Sequence, residues 1–151
     1  MRPSSAWADE RGSAALEFIT AGVLLLVPLV YLVLALSAIQ GAALGTEGAA
    51  RQAARVFVRA DDDAAGRREA RAAVEVALAD HGVAPGGIAL DITCSPDPLR
   101  CHAPRARVHV SVRVAADLPL APPVAGPDAP GSIAVHGDAD ARVSAFVPGG
   151  R

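Results

Sequence analysis

From Phe18 to Thr46 the chain carries no charged side chain. The overlapping segment Ala15–Ile39 is almost wholly apolar. It exceeds the roughly 20 residues that a helix needs to cross a bilayer. A run of this length and polarity fixes the architecture before anything else is read. It implies one apolar helix near the start of the chain, followed by roughly 105 residues, enough for one small domain. A buried core helix of a soluble protein is the competing reading, and the length argues against it. Pro28 lies inside the run. It removes one helical hydrogen bond and favours a kink, which membrane helices tolerate.

The one acid near the mouth of the run is Glu17, five residues after Gly12. A carboxylate at the centre of a span costs roughly 2.5–3.5 kcal/mol on insertion scales, and less near an interface. A partner would offset that cost. Cleavage after Gly12 would supply one, because Ser13 would then carry a free α-amine, largely cationic at neutral pH. Ser13 and Glu17 are four apart and share one helix face. The pair can close within one chain or between neighbours packed side by side, and the second arrangement sets an axial register between subunits.

Gly12, then Glu17 and Phe18, then the apolar helix resemble the type IV prepilin processing signature. In that signature the peptidase cuts after the Gly and the Glu becomes the fifth mature residue. The surrounding run, RGSAALEFITAGVLLLVPLVYLVLAL, resembles the TadE-like pseudopilin family of tight-adherence pili more than it resembles major pilins. The resemblance covers Arg11 to Gln40. It implies a processing site at Gly12 and Ser13, and a role for Glu17 and Phe18 in assembly. It also implies the prepilin peptidase, the major pilin and the inner-membrane assembly platform as partners. It says nothing about the C-terminal hundred residues.

A secretory signal peptide would instead place cleavage after the apolar run, near Gly41-Ala42-Ala43, but no clean small-x-small site closes the run. Charge does not orient the span. Arg2 and Arg11 precede it, offset by Asp9 and Glu10, while Arg51, Arg55 and Arg59 follow it. The positive-inside count therefore does not favour a cytoplasmic N-terminus. The prepilin-like leader and the cysteine pair do favour one.

Residues 1–12 read as a polar leader and 13–60 as the membrane and stem helix. Residues 61–151 read as a small extracytoplasmic α+β head. Beyond the span, Ala43, Glu47, Ala50, Ala54 and Val58 keep a helical spacing, with Arg51, Arg55 and Arg59 as a polar stripe. Asp61-Asp62-Asp63 predicts a break and a helix N-cap; a calcium loop would need wider, alternating ligands. A second helix is expected over 63–81, burying Ala70, Ala73, Val74, Ala77 and Leu78, with Arg67, Arg68, Arg71 and Glu75 facing water. Gly82 suits the C′ position, and 83–87 reads as a turn.

After residue 87 the period changes to two. Ile88, Leu90, Ile92 and Cys94 alternate with polar or small residues, and Ala106, Val108, Val110, Val112 and Val114 form the clearest strand. A third run, Ile133 to Val147, keeps the same parity, with Gly137 expected to mark a bulge or bend. The fold class is therefore α+β, with a three-stranded antiparallel sheet wet on one face and covered by an amphipathic helix on the other. Leu118–Gly131 holds five prolines and reads as an exposed, extended loop. The core is mostly Ala and Val, so a head this light leans on a disulfide, the stem helix or a partner.

Cys94 and Cys101 are the only cysteines. They flank a Pro-containing segment between the first two strands, and an even count in an exported domain argues for a disulfide. A zinc site with His102 would have three local ligands where a structural site needs four. His81, His102, His109 and His136 are scattered, with His109 and His136 on polar strand faces. No nucleophile elbow surrounds Ser111 or Ser144, no phosphate-binding glycine loop is present, and no carboxylate pair is set up for acid–base work. Enzyme activity and cofactors are not expected. The net charge of −2 gives no argument for nucleic acid. Arg105, Arg107 and Arg113 read as a basic strip, either solvated or docking against Asp138 and Asp140.

The expected function is structural. The chain reads as a minor pseudopilin or assembly component of a tight-adherence pilus, single-pass in the cytoplasmic membrane and in contact with its lipid, with its head outside, incorporated in surface pili or assisting them. Small residues Ala21, Gly22, Ala35 and Ala38 would let helices approach closely. The alternatives are a membrane-anchored extracellular binding module and a secreted protein released by signal peptidase.

Overall fold

The computed structural model describes residues 10–81, 83, 87–120 and 132–146, with side chains from residue 14 onward. Two helices precede three strands: α1 (Glu10–Phe57), α2 (Asp63–Ala79), β1 (Ile88–Ser95), β2 (Arg107–Asp117) and β3 (Ser132–Arg142). The chain divides into two compact units at Leu36/Ser37, and α1 belongs to both.

In the first unit the described residues are helical, and the large apolar side chains from Leu16 to Leu36 are exposed. This helix is long and apolar enough to cross a membrane. The helix continues on both sides of Pro28.

The second unit is α+β. Its sheet has the order β1-β2-β3, both pairs antiparallel. The period-two reading places most of the inner face: Ile88, Ile92, Cys94, Val108, Val110, Val112, Val114, Ala116 and Val135 are buried, while Ile133, near the start of β3, is exposed. The third strand stops earlier than its sequence parity suggests. Val143 N still donates to Ala106 O at 2.9 Å, but Arg105 has φ 66°, which turns the partner strand away and ends the ladder. Val147, the proline-rich segment at 121–131 and Gly82 lie outside the described residues.

Both helices contribute to the inner layer. α2 is capped by Asp62, whose carboxylate accepts from Ala65 N at 2.7 Å, as the acid run suggests. It buries Gly66, Ala70, Val74 and Leu78, a stripe at helical spacing. Arg67 lies on the solvent side yet donates to Ile92 O at 3.4 Å, tying α2 to β1.

The stem of α1 departs from the expected stripe. Its buried residues are Ala42, Gly45, Thr46, Ala49, Ala50, Ala53, Ala54 and Phe57. Glu47 is exposed and pairs with Arg51 instead. In an alanine-rich helix the apolar contrast between faces is small, so the sequence pattern set the stripe slightly off axis. Thr46 is fully buried and satisfies its hydroxyl on Ala42 O at 2.6 Å, which removes the cost of an unpaired buried group.

Gly137 also corrects an expectation. The β2–β3 register is regular from Arg107↔Arg142 to Asp117↔Ser132, with Val112 opposite Gly137, so there is no bulge. The missing side chain is needed for packing. A Cβ at Gly137 would stand 2.6 Å from the main-chain carbon and oxygen of Thr46. The backbone of α1 therefore lies directly on β3 at this point.

Candidate functional site

Gly12 and Ser13 lie in the first turns of α1. Glu17 follows Ser13 by four residues on the same helix, so the two positions stack on one face. Glu17 and Phe18 are exposed, and among the described residues Glu17 has no ion-pair partner. A lone carboxylate on an apolar helix surface is a group that a neighbour can neutralise.

Cys94 and Cys101 form a disulfide, with their Cα atoms 5.3 Å apart. Both sulfurs are buried within the head. They are thus unavailable as thiolate ligands, and His102 is engaged elsewhere. Among the described residues no group of His, Cys, Asp and Glu is placed to hold a metal ion.

His102 is the residue that sequence reasoning missed. Its Nε2 lies 2.9 Å from Phe57 O, and its Nδ1 meets Asp63 Oδ1. Its ring packs on that of Phe57 with centroids 5.0 Å apart. One side chain, next in sequence to the disulfide-bonded Cys101, thus joins the end of α1 to the start of α2. Both ring nitrogens face acceptors. Nothing local in the sequence points to this contact, because its partners are far away along the chain.

The wet sheet face orders its charges in rows. His109 sits opposite Asp140 and beside Asp138, with contacts of 3.3 and 3.7 Å. Arg113 is opposite His136 and donates to its Nδ1 at 3.3 Å. Asp138 and Asp140 therefore face a histidine, not the arginine strip. Arg105 is not on the strand at all. Ser111 lies opposite Asp138, and Ser144 accepts from Phe146 N at 3.1 Å.

No family model, curated protein or solved structure matches the chain.

Proposed function

We propose that this chain acts structurally, as a single-pass protein of the cytoplasmic membrane and a minor pseudopilin or assembly component of a tight-adherence pilus. The observation that carries the reading is α1. Its exposed apolar segment bears Glu17, five residues after Gly12 and without an ion-pair partner among the described residues. The same helix ends as part of the head's core. Its work is lateral packing, in which the Glu17 carboxylate meets an α-amine at Ser13, its own or a neighbour's. The prepilin peptidase would expose that amine. The major pilin and the inner-membrane platform would receive the helix. The Cys94–Cys101 disulfide supports a head in an oxidising compartment.

Release by signal peptidase fits less well. α1 is helical through Gly41-Ala42-Ala43, and Ala42 is buried with the head's core. A cut there would remove a core residue and interrupt a packed helix.

Mapping the mature N-terminus tests the proposal. Mass spectrometry of protein from cells that hold the cognate peptidase should find chains that begin at Ser13, and Gly12→Val should leave the longer product. Chains that begin only at Met1, or only near Leu44, would overturn it.

A further inference from the structure

We propose that the corner of the sheet formed by Ser95, Arg105, Arg107 and Arg142 binds a phosphate group, either inorganic phosphate or a phosphate monoester. Ser95, Arg107 and Arg142 stand in one row across the three strands: Ser95 is opposite Arg107, and Arg107 is opposite Arg142. All three are exposed on the wet face. Arg105 completes the group from the segment before β2. With Pro96 these residues line a shallow recess of about 350 Å³.

Several independent features argue that this recess is built for an anion. Like charges directly opposite one another on neighbouring strands destabilise a sheet, yet Arg107 and Arg142 are so placed. Arg105 holds φ 66°, a left-handed conformation that is unfavourable for a residue with a Cβ. Among the described residues none of these three arginines has an ion-pair partner, and no acid lines the recess. The hollow between α1 and β3 is different: there Arg51 and Arg55 share the lining with Asp138 and Asp140, so its charges offset one another without a guest.

The number of guanidinium groups selects the ligand. A single carboxylate would neutralise one of three. A phosphate carries close to two negative charges at neutral pH and presents three acceptor oxygens. Guanidinium groups match such oxygens with paired N–H donors, and the Ser95 hydroxyl adds one more.

The location separates the recess from the point where α1 joins the head. Thr46 lies over Gly137, while Phe57, at the end of α1, reaches His102 beside the disulfide. β3 runs the same way and ends at Arg142. The recess is therefore at the end of the head where α1 finishes.

The test uses full-length protein in a neutral detergent, titrated with inorganic phosphate at constant ionic strength and followed by calorimetry and by arginine side-chain NMR. Saturable binding is expected, at least tenfold weaker in Arg107→Gln/Arg142→Gln and unchanged in Arg68→Gln. Thermal unfolding gives a second readout: each of Arg107→Gln and Arg142→Gln should melt at or above the wild-type temperature without phosphate, because a repulsion is removed. Phosphate effects no larger than those of chloride, wild-type binding by the double variant, or a lowered melting temperature in both single variants would overturn the site. Vesicles of phosphatidylcholine with phosphatidic acid, offered to protein held in nanodiscs, identify the source of the phosphate. Capture that free phosphate competes away supports a lipid headgroup, and phosphate binding without capture supports a soluble or polymer-borne phosphate. Capture that persists in the double variant counts against the site.

Discussion

The Nε2 atom of His102 lies 2.9 Å from the main-chain oxygen of Phe57. That carbonyl belongs to the last turn of α1 and also accepts from Ala60 N at 3.3 Å. The imidazole adds a second contact there and carries its other nitrogen to Asp63. His102→Leu keeps the volume but takes a partner from each of two acceptors. It should lower head stability by about 1–3 kcal/mol, with the Cys94–Cys101 bond still closed. Urea titration followed by far-UV circular dichroism, beside a non-reducing gel, checks both statements. An unchanged midpoint would show that the clasp contributes nothing.

Gly137→Ala tests the close approach of α1 to β3. The added carbon would meet main-chain atoms of Thr46 at 2.6 Å, and backbone cannot swing aside. Overpacking of this kind costs typically 1–3 kcal/mol. Gly48→Ala, which has open space around it, serves as the control and should be neutral or slightly stabilising, since Ala is the better helix former. Equal melting temperatures for the two variants would contradict the packing described.

Asp62 supplies a pH dependence. The backbone N–H of Ala65 beside its carboxylate holds the group below the ordinary aspartate range. Its folded-state pKa lies below its unfolded one, so its contribution is fully present above the unfolded value, about 3.9. That contribution fades as pH falls from there through the lower folded value. Asp62→Ala should therefore melt lower than wild type at pH 7, and the gap should close in acid. A gap that is constant from pH 7 to pH 3 would assign the effect to something other than the charged cap.

The disulfide gives a fourth handle on stability. Closing a loop this short contributes about 2–3 kcal/mol in the chain-entropy model. Cys101→Ser with Cys94→Ala should lower the melting temperature accordingly. Thiol labelling of native membranes should fail before reduction and succeed after it; ready labelling of unreduced protein would place the head in the cytoplasm.

Glu17→Leu separates anchoring from assembly. Insertion should be intact, since removing a charge eases it. Under the proposed pseudopilin role, crosslinking to the major pilin and the count of surface pili should both drop, because a buried amine left without its carboxylate is strongly unfavourable. Wild-type levels of both in a strain that carries only the variant would reduce α1 to a simple anchor.

How far the sequence could be read depends on how local each signal was. The alternation from Val108 to Val114 needs only neighbours two apart, and the strand lies where it points. The stripe Ala70, Val74, Leu78 is similarly self-contained. The stem of α1 was read off axis because alanines mark a face weakly, and Phe57, its largest buried side chain, sits at the very end of the pattern. The role of Gly137 was hidden because glycine signals a bulge and a close approach with the same letter. His102 and the row Ser95–Arg107–Arg142 depend on residues brought together by the register, which no local spacing encodes. At the start of α1 the motif residues are legible as a pattern, while among the described residues Glu17 has no ion-pair partner.

The contact between Thr46 and Gly137 also sets an order of events during synthesis. The stem is made before β3, and its alanine face can form helix at once, but the surface it packs on includes β3. Contacts this distant along the chain close late and slowly. Until β3 is released, the nascent head holds an uncovered helix face and an open β2 edge, both of which invite wrong pairing. The head is thus expected to need protection by a holding factor until β3 has emerged. A truncation before Ser132 should yield chains that insert in the membrane yet are degraded.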